Sequence, residues 1–254
     1  MRVSNIFAAA VPADLSEDVT RCRACVRLVG WREQAALEVP PRFRADVATH
    51  SFWARPVPAF GDPRAWLAVV GLAPAAQGGN RTGRMFTGDR SGEFLYAALH
   101  RAGLASAPRS EHREDGLRLR GVLITAALRC APPANRPDAA ELARCRHFLA
   151  RDLGGLPRLR VVLALGRIAH DAVLALLPEE VRRPRRPFSH GAVHALPGGL
   201  WLVDSFHVSQ QNTFTGRLTP RMFDAVLTRC RRLGRDGGGA QYGAVAGRGR
   251  REVL

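Results

Sequence analysis

The residues best placed to do chemistry lie between Gly71 and Asp89. Gly71-Leu72-Ala73-Pro74-Ala75 leaves an apolar run, Trp66 to Val70, that reads as a buried strand. A loop rich in glycine, asparagine and arginine follows, carrying Asn80, Arg81 and Arg84. It closes on Phe86-Thr87-Gly88-Asp89, ahead of a helix marked by Phe94, Leu95, Ala98 and Leu99. A strand that empties into a glycine loop and then a helix N-terminus commonly holds anions, because unpaired backbone N–H groups point at the ligand. No Gly-Lys-Ser/Thr follows, so this is not a Walker loop, and the spacing is not that of the dinucleotide fingerprint. Something other than a nucleotide cofactor is expected here.

Five cysteines form the second group. Cys22 and Cys25 make a C-x2-C pair at the start of a helical pattern, Cys130 ends a strand, and Cys145 lies one connection later. Four thiolates that meet in this way suit zinc or an iron–sulfur cluster. The widely split pairs do not match a compact zinc ribbon or finger. Buried free cysteines are the competing reading, and Cys130 beside the Pro-Pro turn favours the metal site. Cys230, on the last helical pattern, has no partner nearby and reads as structural.

Composition narrows the classes. The formal net charge of +16 favours a polyanionic partner such as nucleic acid, although a genome-wide codon bias towards arginine would inflate the same count. All 38 basic residues are arginine, so apart from the amine of Met1 the chain has no primary amine for Schiff-base chemistry. No apolar run is long enough to span a membrane, and the patch Ile6 to Val11 is broken by Pro12 and Asp14. A cytoplasmic, nucleoid-associated protein is expected. It is expected to be a monomer, because no long apolar helix face lacks a core role.

The elements that must position these groups alternate. Strands are expected at about 66–71, 122–126, 160–165 and 200–204, with helices near 91–102, from 138, at 167–177 and at 219–234. Residues 104–119 read as a polar surface loop, and the prolines of 132–137 forbid a helix there. This predicts an α/β fold: a three-layer α/β/α sandwich around a four-stranded, mainly parallel sheet. The loops after its first, second and fourth strands then converge on one crevice. Residues 1–19 are expected to be a flexible segment, 20–233 the domain, and 234–254 a disordered Gly/Arg tail.

Three stretches, in order, carry a family resemblance. Gly71-Leu72-Ala73-Pro74-Ala75 through Asn80-Arg81-Thr82-Gly83-Arg84 to Phe86-Thr87-Gly88-Asp89 resembles the first motif of the type B (family 5) uracil-DNA glycosylases. Thr125-Ala126-Ala127-Leu128-Arg129-Cys130-Ala131-Pro132-Pro133-Ala134-Asn135-Arg136-Pro137 is similar to their second. His207-Val208-Ser209-Gln210-Gln211-Asn212-Thr213 resembles their third. The resemblance covers about residues 20–233. It implies a [4Fe–4S] cluster on Cys22, Cys25, Cys130 and Cys145, with zinc the alternative occupant.

The resemblance also implies roles. His207 would donate a hydrogen bond to the charge developing on uracil O2, and Asp89 would steer a water and stabilise the oxocarbenium-like sugar. Asp89 before a helix is also a good N-cap. Asn135 matches a family residue implicated in the active site. Phe86 would stack on the extruded base, with Gly71, Ala73, Ala75 and Asn80 lining the substrate. Arg81, Arg84, Gln210, Asn212 and Arg217 are the candidate DNA contacts. Phe214 and Leu218 could each fill the vacated base stack.

Many relatives place a polar side chain just after the first strand and an asparagine at the end of the second. Here those places hold Leu72-Ala73-Pro74-Ala75 and Ala126-Ala127, as the type B branch has them. The implied activity is excision of uracil, and of other deaminated bases such as hypoxanthine or xanthine, from DNA. Without lysine the enzyme is expected to be monofunctional and to leave an abasic site. The alternatives are a non-catalytic nucleic-acid-binding protein with a metal-stabilised fold and a hydrolase of free nucleosides or nucleotides.

Overall fold

The computed structural model describes Phe7 and residues 19–235. The segment 1–19 and the tail from 234 therefore lie almost wholly outside the described residues. Gly234 and Arg235 of that tail form the last residues of a helix.

The chain runs α1 (Val26–Leu37), α2 (Arg44–His50), β1 (Phe60–Gly61), β2 (Leu67–Gly71), α3 (Gly79–Thr82), α4 (Arg90–Arg101), β3 (Val122–Ala126), α5 (Ala139–Gly154), β4 (Val161–Leu165), α6 (Arg167–Leu174), α7 (Glu179–Arg182), β5 (Val193–Leu196), β6 (Leu200–Ser205), α8 (Gln210–Phe214) and α9 (Pro220–Arg235). The strands form one sheet in the order β1-β3-β2-β4-β6-β5. The four central strands, β3, β2, β4 and β6, are parallel and are those expected from the sequence.

The sheet has six strands rather than four. β1 pairs antiparallel with β3 at one edge, and β5 pairs antiparallel with β6 at the other. Neither leaves a clear pattern: β1 has two residues within a proline-rich stretch, and β5 is only partly buried. The stretch 104–119 is also more than a polar loop. Leu104, Leu117 and Leu119 are buried there, and Ala105 bridges Leu119.

Alternation along the strands divides the core into two layers. Leu67, Val69, Ile124, Leu163 and Val203 face Leu95 and Leu99 of α4 and Phe223, Val226 and Leu227 of α9. Ala68, Val70, Val162, Ala164 and Leu202 face Leu149 and Leu153 of α5 and Ala169 and Val173 of α6. Because both faces are covered, the central strands read as continuous apolar runs. α5 starts from a capping box in which the Asp138 side chain accepts the Glu141 amide and the Glu141 side chain accepts the Asp138 amide.

A buried ion pair ties α5 to the segment after β3. Asp152 accepts hydrogen bonds from Arg129 and from the Thr125 hydroxyl, and all three groups are buried. Removing the carboxylate leaves a buried guanidinium without its counter-ion. Asp152→Ala is expected to destabilise the domain by about 3–5 kcal/mol in chemical denaturation. Thr125→Val, which leaves the ion pair in place, is expected to cost about 1 kcal/mol.

Candidate functional site

Three side chains from the first and third motifs rest on glycines at the carboxyl edge of the sheet. The Phe86 ring lies against Gly71, the last residue of β2: a Cβ on Gly71 would sit 2.7 Å from Phe86 Cζ. The Asp89 carboxylate lies against Gly78, where a Cβ would come within 2.0 Å of Oδ2. His207 lies against Gly166, just after β4, whose Cβ would sit 3.4 Å from His207 Cβ. The Phe86 and His207 ring centroids are 6.1 Å apart, tilted by 34°. Residues from the ends of β2, β4 and β6 thus converge, as parallel sheets arrange their sites.

Phe86 has a φ of +53°, a left-handed conformation that bulky residues seldom adopt. The chain around it enforces this. Tyr96 Oη donates to the carbonyl of Met85 at 2.9 Å, and Gly92 leaves no room for a Cβ beside the Phe86 carbonyl. The same first turn of α4 fixes Asp89, which caps the helix and accepts the Gly92 amide at 2.9 Å. Burial pushes the Asp89 carboxyl above its ordinary range, against the amides of Gly92 and Ser91 that favour the charged form. Burial holds His207 down at about 4, so its imidazole is neutral near neutral pH. Neutral imidazole still carries one N–H to donate. Asn212 Nδ2 donates to the His207 carbonyl at 2.8 Å and braces the loop. Together these groups offer an aromatic face, a neutral N–H donor and a carboxylate.

Several candidates have other roles. Arg81 and Arg84 are not surface groups: they are 4% and 3% exposed. Arg81 donates to the carbonyls of Gln77 and Gly88, pairs with Asp46 and lies over the Phe43 ring at 4.2 Å. It therefore braces the loop that delivers Asp89. Arg84 pairs with Asp115 and donates to Ser110 Oγ at 2.6 Å and Thr87 Oγ1 at 3.1 Å. Asn80 is wholly buried, its amide donating to the carbonyls of Arg32 and Ala76, so it packs the loop rather than facing a ligand. The Asn212 amide is likewise spent inside. A charge or an amide in a motif does not show whether the backbone consumes it.

Ala73 and Ala75 are half-buried, and the Ala75 carbonyl accepts the amides of Gly78 and Asn80, which close the loop. Asn135 is exposed at φ +55° on a 3-10 turn, Pro133–Asn135, and takes no part in the contacts that join Phe86, Asp89 and His207 to their glycines. Gln210 and Arg217 are exposed, and the Arg217 guanidinium lies 4.5 Å from the Phe206 ring centre. Of the two stacking candidates, Leu218 is 0% exposed and Phe214 is 72% exposed. The glycines at 78 and 166 escaped the sequence reading, although each stands in a loop at the carboxyl edge.

Cys22, Cys25, Cys130 and Cys145 line one cavity between α1, α5 and the segment after β3, together with Arg32, Arg129 and Arg144. Arg32 Nη1 donates to Cys130 Sγ at 3.0 Å. Arg32 Nε and Arg129 Nε and Nη1 are buried without a partner. Unpaired guanidinium N–H groups beside four thiols fit an anionic, sulfur-rich group that would accept them. Apart from the cysteines, the ligand atoms of His170, His194 and Asp204 lie within 4.8 Å of one another. Cys230, on α9, is buried in the core.

The model of the uracil DNA glycosylase superfamily matches residues 58–231. A type-5 uracil-DNA glycosylase of Thermus thermophilus is 54% identical over 217 residues, 85% of this chain and 95% of that one. Type-5 uracil-DNA glycosylases of Mycobacterium leprae and Pyrobaculum aerophilum are 48% and 44% identical, over 87% and 85% of this chain and 94% and 90% of theirs. With the glycine-backed side chains where the superfamily model matches, the chain belongs to the uracil DNA glycosylase superfamily, among its type-5 members.

Proposed function

We propose that this protein excises uracil from DNA by hydrolysing the bond between the base and deoxyribose. The observation that carries the proposal is the Phe86 ring lying over Gly71 with His207 beside it. A base extruded from the duplex stacks on Phe86. As the glycosidic bond breaks, negative charge gathers on the departing base and positive charge on the sugar. The neutral His207 imidazole donates its N–H to uracil O2, and a preorganised donor in a buried site stabilises that charge strongly. Asp89 stabilises the oxocarbenium-like sugar and directs a water to its anomeric carbon. The exposed Phe214 fills the vacated stack, and Gln210 and Arg217 contact phosphates nearby.

Ala126-Ala127 offers no side-chain amide to read the uracil edge, which supports hypoxanthine and xanthine as further substrates. The absence of lysine supports a monofunctional reaction that leaves an abasic site. A [4Fe–4S] cluster held by Cys22, Cys25, Cys130 and Cys145 ties the segment before α1 to α5, a structural service outside the reaction. Arg32 and Arg129 offset its charge. The enzyme works as a monomer on chromosomal DNA in the cytoplasm. Among the described residues no helix is long and apolar enough to cross a membrane.

The test is an end-labelled duplex with one G·U pair, analysed with and without alkali. Strand breakage is expected only after alkali, and His207→Ala is expected to lose about 10²–10³-fold in rate. Phe214→Ala is expected to lose more on duplex than on single-stranded DNA. No abasic product from uracil, hypoxanthine or xanthine DNA would leave a binding protein instead. The raised Asp89 carboxyl takes up its proton earlier than usual as pH falls. The rate should therefore drop on the acid side through a value above the ordinary carboxylate pKa of about 4, and Asp89→Asn should abolish that limb. Anaerobically purified protein should hold about four irons per chain. Cys22→Ala should lose iron and lower Tm, and one zinc instead would replace the cluster.

A further inference from the structure

Asp204 lies near the end of β6, three residues before His207, and is 0% exposed. Its oxygens face two histidines. Oδ1 is 2.8 Å from Nδ1 of His170 on α6, and Oδ2 is 3.1 Å from Nε2 of His194 on β5. The other His170 nitrogen, Nε2, lies 2.8 Å from the carbonyl oxygen of Arg186. A carbonyl can only accept. The Asp204 carboxylate also accepts, since Oδ2 takes the Ser189 amide at 3.4 Å in addition to His194. With Asp204 ionised, both ring nitrogens of His170 carry protons, which makes it an imidazolium buried against a carboxylate. Although the donor atoms of His170, His194 and Asp204 lie within 4.8 Å, such a ring has no lone pair for a metal.

This pair sits where three segments meet behind His207. The Gly191 amide donates to the Asp204 carbonyl at 2.8 Å, and the Phe206 amide donates to His190 Nδ1 at 3.1 Å. The His190 ring stacks on Phe206 at 4.9 Å. At the start of α6 the Gly166 amide donates to the Ser205 carbonyl at 2.8 Å, and Gly166 touches His207 itself. Beside β4, His194 and Asn212, residues 204–207 are thus held by the segment 186–191 and by the start of α6, which the His170 ring joins.

We propose that the His170–Asp204 ion pair is a positioning device for His207, fastening α6 and the segment 186–191 to the strand end from which His207 projects. This rests on the reading of His207 as the hydrogen-bond donor to uracil. The groups that face His170 are Asp204 from β6, His194 from β5, the Arg186 carbonyl, the Phe188 ring at 5.8 Å and, on its own helix, Asp171. Burial works against the charge on His170, and the Asp204 hydrogen bond and charge outweigh it, so its pKa is raised. A raised histidine pKa gives a contribution that is complete below the unfolded value and lost as pH rises through the folded one. The fastening therefore weakens on the alkaline side. His207, held neutral by burial, does not titrate there.

Two measurements on the full chain test this. Nitrogen-15 NMR of the wild-type histidines should find both His170 nitrogens protonated at neutral pH, and kcat on G·U duplex should fall on the alkaline side as that ring loses a proton. His170→Gln should lower kcat about tenfold with KM little changed, as a misplaced donor would, and should lack the alkaline limb. A neutral His170 tautomer at neutral pH would overturn the proposal, and that result needs no variant to fold. A folded His170→Gln with lower Tm but wild-type kcat and pH profile would also overturn it, marking the pair as merely stabilising. Full activity in His207→Ala would instead sink the underlying reading of His207, while the NMR result would still report the state of the pair.

Discussion

The site depends on side chains lying flat against backbone that has no Cβ. Phe86 and Asp89 occupy the space a side chain would fill at Gly71 and Gly78, and His207 packs in van der Waals contact beside Gly166. Glycine permits close approach at a strand end, and Gly166 also holds φ at +93°, which side chains rarely tolerate. The parallel sheet makes this possible, because the carboxyl ends of β2, β4 and β6 open on the same edge. The site is therefore built from contacts between sequence-distant segments, each fixed by a rigid strand.

Polar groups beneath that edge are spent on holding it. Arg81 and Arg84 sit inside the first-motif loop with Asp46 and Asp115 as counter-ions, and Arg129 does the same beneath β3 with Asp152. A buried guanidinium is tolerable only when paired and hydrogen-bonded, and each of these has such a partner. The count of 38 arginines consequently overstates the basic groups offered to DNA, since several are paired within the fold, while the formal net charge of +16 already subtracts their carboxylate partners. Arg32 and Arg129 keep unpaired N–H groups only beside the cysteines, where a sulfur-rich anion would accept them.

The sequence by itself determined the four central strands, the major helices and the motifs that carry the site. Apolar runs such as 161–165 have no other stable place than a covered parallel sheet, and Asp89 and Asp138 announce their helices as N-caps. The family resemblance pointed to Phe86, Asp89 and His207, which the fold does gather on their glycines. The short edge strands were not legible, since two residues of β1 and a half-exposed β5 carry no periodic signal. Burial and pairing were decided only by tertiary structure. An arginine in a loop looks the same whether its partner is a phosphate or an aspartate 31 residues away, as Arg84 and Asp115 show. Likewise, nothing local marks His170 and Asp204 as partners across 34 residues. Their charge states and the exposure that separates Phe214 from Leu218 arise when distant segments exclude water together, and a linear pattern does not encode that event.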